Sequence, residues 1–235
     1  LYTGLLALNS AERKIVTVED PIEYQLRGVN QVQVKPQIGL NFAALLRSIL
    51  RQDPDVIMVG EIRDLETAQI AVQAALTGHL VLSTLHTNSA ASTIGRLRDM
   101  GVEDYLLTAV LRGVLAQRLV RRLCPHCRRE DDASPELIRR FDLERRCDGG
   151  RVRLWHPVGC PQCRGTGYRG RLAVAEFLLP DAEVEKAIFA GAGHTEIERL
   201  AVKAGMVTMF EAGLDAVLEG TTTLEELTRS IRAEG

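Results

Sequence analysis

Lysine is scarce in this chain. Only four occur in 235 residues, Lys14, Lys35, Lys186 and Lys203, and none of them follows a glycine. The pattern G-x-x-x-x-G-K-[ST], whose backbone amides and lysine cradle nucleotide phosphates, therefore has no match. Long apolar runs are missing as well. Nothing approaches the roughly 18 residues that cross a bilayer, and no basic n-region with an apolar h-region opens the chain. The chain is expected to be soluble, with any membrane contact peripheral. Charge of one sign is not in excess, with 29 basic residues against 31 acidic. That balance, with ordinary apolar content, excludes disorder and a generally basic nucleic-acid binder, so no specific nucleic acid is expected as a partner. Internal repeats and low-complexity segments are also absent. The five cysteines include two C-x-x-C pairs in a chain without a secretory signal, which favours metal over disulfides and a cytoplasmic location.

What is present reads as alternating strands and helices. Residues 1–8 have the character of a helix end, since no N-cap precedes them. "IVTVE" (15–19) is a short β-branched strand stopped by Pro21, and "VNQVQV" (29–34) alternates as a half-exposed strand does. "FAALLRSILR" (42–51) has helical spacing, with Phe42, Leu45, Leu46, Ile49 and Leu50 on one face. A buried strand "DVIMVG", a helix over 65–76, a second buried strand "HLVLSTL" (79–85) and helices over 90–100 and 104–119 follow. This order predicts an α/β fold with a mostly parallel sheet and helices on both faces. After Cys124 the pattern changes to a small irregular insert, then a strand over 172–178 and short helices. The last helix is expected to start at Thr223, with Glu226 completing a capping box.

In such a sheet, ligands sit beyond the carboxyl ends of the strands. "DVIMVGEIRD" (55–64) drives an apolar strand into the core and ends it in charge, the Walker B arrangement of nucleotide hydrolases. Glu61 is the candidate to orient or activate water, Gly60 lets the backbone approach phosphates, and Arg63 is free to pair with an acid. The alternative is an ordinary strand-end ion pair between Glu61 and Arg63. "IVTVEDPIE" brings Glu19 and Asp20 to a second strand end, where Pro21 fixes the exit. "TGHLVLSTLHTN" (77–88) brings Ser83, Thr84, His86, Thr87 and Asn88 to a third, where His86 is placed to sense a γ-phosphate. His79, which opens that strand, reads as structural.

The cysteine pairs are the strongest single signal. C-P-H-C (124–127) and C-P-Q-C (160–163) stand 32 residues apart. Each offers two thiolates to one tetrahedral Zn²⁺, and Gly165, Gly167 and Gly170 permit sharp turns after the second pair. A closed site of Cys124, Cys127, Cys160 and Cys163 would be structural, holding an insert too small to make its own core. Cys147 reads as an ordinary residue, with His126 and His156 as substitute ligands. Residues 118–153 hold 11 arginines and no lysine, either a patch for anionic partners such as lipid head groups or a solvated surface.

Together these stretches resemble the secretion and pilus ATPases, specifically the type II secretion ATPases (the GspE family). "TVEDPIE" resembles that family's Asp box, "LRQDPDVIMVGEIRD" its Walker B box and "TGHLVLSTLHTN" its His box. "LAQRLVRRLCPHC" with "GCPQCRGTGYRGR" resembles its four-cysteine subdomain. The resemblance implies a RecA-like three-layer core over 1–123 without the P-loop, a zinc subdomain over 124–171 and a strand and helical region over 172–235. In that family the P-loop immediately precedes a helix resembling "LYTGLL", so a chain beginning just after the loop, inactive alone, is expected. For the intact protein it implies a homo-hexameric ATPase motor using ATP and Mg²⁺, docked on inner-membrane platform proteins at the cytoplasmic side. Its hydrolysis would power a pseudopilus that exports folded proteins across the outer membrane. By the same resemblance Glu61 and Glu19 are the acids nearest the reaction, His86 senses the γ-phosphate, and Arg13, Arg63 and Arg118 are candidates to reach phosphates, some across a subunit boundary. Thr84 joins them as a phosphate-contacting candidate. Pilus-assembly ATPases share the boxes and the cysteines, whereas retraction ATPases generally lack the insert. The reading from another class is a zinc-stabilised interaction module without catalysis.

Overall fold

The computed structural model describes residues 1–147 and 151–231. In chain order the first elements are α1 (Tyr2–Leu8), β1 (Ile15–Glu19), β2 (Asn30–Gln33), α2 (Phe42–Ile49), β3 (Val56–Val59), α3 (Leu65–Leu76), β4 (Leu80–Ser83), α4 (Ala90–Asp99) and α5 (Asp104–Val110). They are followed by β5 (Val114–Leu123), β6 (Arg129–Asp132), α6 (Pro135–Arg140), β7 (Arg153–His156) and β8 (Tyr168–Leu178). The helices α7 (Ala182–Phe189), α8 (His194–Lys203), α9 (Met209–Leu218) and α10 (Leu224–Ser230) complete the chain. Two compact units result: 1–112 with 180–200, and 113–179 with 201–235.

The first unit is built on a parallel four-stranded sheet of order β2-β1-β3-β4. Strand alternation sorts its side chains onto two faces. Val16, Val18, Ile57 and Val59 pack with Leu45, Leu46 and Ile49 of α2 and with Ala71 and Ala74 of α3. The residues between them, Ile15, Val56 and Met58, pack with Leu5 of α1 on the other face, joined by Tyr2 and Leu8. Helices therefore cover both faces, as a parallel sheet requires. Asn41, Asp64 and Ser89 cap α2, α3 and α4 by accepting backbone N–H bonds from Ala44, Thr67 and Ser92. Arg98 ties α4 to the end of α7 by donating to the carbonyls of Ile188 and Ala192.

In the second unit β5 pairs antiparallel with β8, and β6 with β7. The helix expected over 104–119 ends at Val110, and β5 takes its place. The misleading signal has a physical origin. A bulge between Arg121 and Leu123 returns Leu123 to the buried face, so buried Ala116, Val120 and Leu123 recur at helical spacing on an extended strand. The boundary between the units accordingly falls at Gly113, because β5 joins β8 rather than the parallel sheet. β4 also departs from expectation. It is an edge strand with Leu80 41% exposed, not a fully buried one. Thr223 does cap α10, accepting from the Glu226 N–H at 3.1 Å, but the Glu226 side chain leaves the box to bind Arg121 and Arg229.

Candidate active site and metal centre

Register decides which groups share the carboxyl edge of the parallel sheet. Val18 pairs with Val59 and Val59 with Ser83, so Glu19, Gly60 and Thr84 form the next row across three adjacent strands. The row is locked by backbone bonds: Gly60 N–H donates to Val18 O at 2.7 Å and Ile62 N–H to Thr84 O at 3.1 Å. The hydroxyls at the end of β4 are used on β3, Thr84 Oγ1 donating to Gly60 O at 2.6 Å and Ser83 Oγ to Val59 O at 2.9 Å. A Cβ on Gly60 would stand 3.1 Å from Val18 O and 3.4 Å from the Glu19 Cα, so the position has room for glycine alone without a shift of β1.

Glu61 follows Gly60 and is 9% exposed. Its Oε1 is bonded by the Arg63 guanidinium, and its Oε2 lies 3.4 Å from His86 Nε2. The carboxylate pushes the Arg63 guanidinium above its ordinary value by hydrogen bonding. The strand-end ion pair left open by the sequence is thus present, while Glu61 also faces His86 on the rim. Asp64, the third charge of the stretch, is the cap of α3. His86 is exposed, whereas His79 is tied down by Ala74 O at 2.9 Å and Thr77 Oγ1 at 3.1 Å.

Glu19 is 3% exposed on the α1 face of the sheet. Thr17 Oγ1 and Gln31 Nε2 donate to its Oε1, the latter at 2.9 Å, and the Tyr2 hydroxyl donates to its Oε2. Sequence reading missed these three. Thr17 carries a signal, since it stands two residues before Glu19 and shares its face. Gln31 follows only from the β1–β2 register, and Tyr2 from the seating of α1.

Among the candidate arginines, Arg13 is not gathered to this rim. Arg13 precedes β1 at the opposite edge of the sheet, beside Lys14, Asn30 and Asp55, because the chain enters β1 there. It stands at the start of β1, the end away from Glu19. Arg118 stands exposed on β5 in the second unit.

The second unit gathers the four cysteines. Their sulfurs all lie within 4.8 Å of one another. The pairs Cys124–Cys160, Cys127–Cys163 and Cys160–Cys163 stand 3.9, 3.8 and 3.8 Å apart. A regular tetrahedron with Zn–S bonds of about 2.3 Å has edges of about 3.8 Å. Backbone N–H groups of Gly159, Cys160 and Gly167 point at these sulfurs, at 3.3 Å to Cys127, 3.2 Å to Cys163 and 3.1 Å to Cys163. Gly167 supplies its amide from a left-handed backbone (φ 75°) and packs on Pro157 where a Cβ would clash at 2.3 Å. Burial pushes the Cys163 thiol up, but hydrogen bonds from the amides of Cys160 and Gly167, together with those to the Cys160 and Cys127 side chains, outweigh it and hold the thiol down at about 6. Burial pushes Cys127 up to about 11. Donor type, spacing and the backbone amides that bond the sulfurs all fit a four-coordinate metal. Cys147 and His126 belong to no such group of three or more ligands among the described residues.

Comparison with known proteins matches this arrangement to one family. The model described as Type II/IV secretion system protein covers residues 1–229. The Type II secretion system protein E of Xanthomonas campestris pv. campestris is 58% identical over 229 residues, 97% of this chain and 40% of that protein. The Type II secretion system ATPase E of Vibrio cholerae serotype O1 is 52% identical over 97% of this chain and 45% of its own length. The Type IV pilus assembly ATPase PilB of Thermus thermophilus is 54% identical over 96% of this chain and 25% of its own. Among solved structures, the pilus retraction motor PilT with bound ADP aligns at a TM-score of 0.67 and 28% identity, over 99% of this chain and 57% of that one. The chain spans less than half the length of these curated relatives. No helix among the described residues is long and apolar enough to cross a membrane. With 229 of its residues matched, this chain belongs to the Type II/IV secretion system protein family.

Proposed function

We propose that these residues form the acid-bearing part of a type II secretion ATPase, in which ATP hydrolysis drives pseudopilus assembly and export of folded proteins across the outer membrane. The observation that supports this reading is the row of Glu19, Gly60 and Thr84 with Glu61 and His86 beside it, at the edge where parallel sheets bind ligands. Glu61 is the group that orients the attacking water, and the neighbouring His86 registers the γ-phosphate. Glu19 carries a buried carboxylate held by neutral donors, so its charge is left for a cation. Mg²⁺ bound with ATP would neutralise phosphate charge at such an edge. Arg63 restrains Glu61 until a phosphate competes for its guanidinium, while Arg13 and Arg118 are the candidates to reach phosphates from a neighbouring copy in a homo-hexamer.

The four cysteines hold a structural Zn²⁺ in this reading, and the protein works in the cytoplasm against inner-membrane platform proteins, peripheral to the bilayer. Because G-x-x-x-x-G-K-[ST] does not occur in the 235 residues, the chain alone is expected to be inactive. Pilus assembly is the second reading, favoured by the 54% identity to PilB. A zinc-stabilised module without catalysis is the third. The full-length protein carrying Glu61→Gln separates these. Turnover is expected to fall by roughly 10² to 10⁴ with ATP binding retained. Near-normal turnover removes Glu61 from its role, and an inert assembled wild type leaves only the interaction module. Restored secretion rather than piliation in a deletion strain decides between the two motors.

A further inference from the structure

A carboxylate as deeply buried as Glu19 must be hydrogen-bonded or neutralised. Its partners among the described residues are all neutral, and they come from three different elements: Thr17 on β1, Gln31 on β2 and Tyr2 on α1. Oε1 is shared by Thr17 and Gln31, whereas Oε2 is held by the Tyr2 hydroxyl. That hydroxyl does a second thing. It accepts the backbone N–H of Glu23 at 3.1 Å, and the Tyr2 ring meets Tyr24 edge-on with centroids 5.7 Å apart. Gln31 acts in parallel, donating to Tyr24 O at 2.9 Å and accepting Leu26 N–H at 2.7 Å. The loop that follows β1 is therefore fastened to two of the three side chains that fasten the carboxylate.

We infer that Tyr2 is a positioning residue for Glu19, its hydroxyl fixing Oε2 and, through Glu23 N–H, the loop beyond β1 as one unit. The inference rests on the proposed reading of Glu19 as an acid of the hydrolysis site. Tyrosine suits the task because one phenol oxygen donates to a carboxylate and accepts from an amide at once. Burial first, then the bond to Glu19, raise the Tyr2 phenol above its ordinary value, so it remains a protonated donor at neutral pH. Phenylalanine would keep the ring against Tyr24 and delete only the hydrogen bonds of the hydroxyl. Oε2 would then be free to rotate away from its presented orientation.

The test uses the full-length protein carrying Tyr2→Phe, Glu19→Gln or both, each assayed for steady-state ATP hydrolysis at a temperature where every variant is folded and assembled. Tyr2→Phe is expected to lower kcat roughly tenfold to a hundredfold with KM for ATP within about twofold. In the Glu19→Gln background the same change is expected to cost nothing further, because Tyr2 acts through Glu19. A kcat for Tyr2→Phe within about twofold of wild type, or losses that multiply in the double variant, overturns the inference. If Glu19→Gln itself turns over normally, the failure lies in the reading of Glu19 as an acid of the reaction. Slow Glu19→Gln with normal Tyr2→Phe refutes the positioning role alone.

Discussion

Replacing Cys160 by serine tests how the second unit holds together. Cys160 stands 3.9 Å from Cys124 and 3.8 Å from Cys163, so its loss removes one corner of the sulfur tetrahedron and the three edges that meet there. Between Cys127 and Cys160 the buried apolar side chains among the described residues are only Leu143, Val152 and Leu154. Burying each contributes about 1.5–3 kcal/mol. A structural zinc on thiolates supplies on the order of 10–16 kcal/mol, which would make the proposed metal the larger stabiliser of this segment. The remainder of the unit has its own core, including Val120, Val174, Leu178, Leu214 and Leu227. Loss of zinc should therefore loosen the segment around the cysteines and leave the β5–β8 ribbon and the parallel sheet intact. Elemental analysis of protein purified without chelator is expected to find one zinc per chain in wild type and little in Cys160→Ser. Hydrogen exchange should rise in β6, β7 and the turns around Cys124 and Gly167, with amides of β1 and β3 still protected. Zinc-free wild type, or a serine variant that retains full zinc and unchanged exchange, refutes the reasoning.

Two further perturbations probe the fold where it supports the sites. Burial alone would push the Glu226 carboxyl up, but bonds from Arg121 and Arg229 outweigh it and hold the group at about 2. A folded value below the unfolded one gives stability that is full above about pH 4.5 and lost as pH falls toward 2, on the order of 3 kcal/mol in total. Urea denaturation should thus find Glu226→Gln less stable than wild type at pH 7, with the gap closing by about pH 2; a gap independent of pH contradicts this. Gly60→Ala would press a methyl against Val18 O and the Glu19 Cα, so it is expected to cost about 1–3 kcal/mol and to slow ATP turnover in the full-length protein. Unchanged melting and turnover would show that β1 yields without consequence.

Much of the first unit was legible because burial on both faces leaves a plain record. β1 and β3 are short apolar runs bounded by turn residues, and α3 carries its cap in Asp64 and its end near Gly78. The cysteine centre was legible for a different reason: ligand spacing is local and needs no knowledge of the fold. β6 was invisible, since its four residues, Arg129–Asp132, are all exposed and charged and carry no apolar alternation. β5 misled because its bulge reproduces helical spacing.

The rim itself was legible only in part, and the missing part is physical. Reading strand ends can say that Glu19, Glu61 and His86 stand at one edge if the strands are parallel and adjacent. It cannot say how each charge is balanced, because that depends on side chains brought in by other elements. Glu61 meets a cation two residues away in sequence, a pairing any strand end could show. Glu19 is hydrogen-bonded by neutral Tyr2 and Gln31, which stand 17 and 12 residues away and become neighbours only once α1 is seated and β2 is in register. Two buried carboxylates at one edge are thereby made unlike: one paired with an exposed guanidinium, the other held among neutral donors. In the proposed reading, that difference in surroundings, rather than the shared residue type, would suit them to distinct parts in a single reaction.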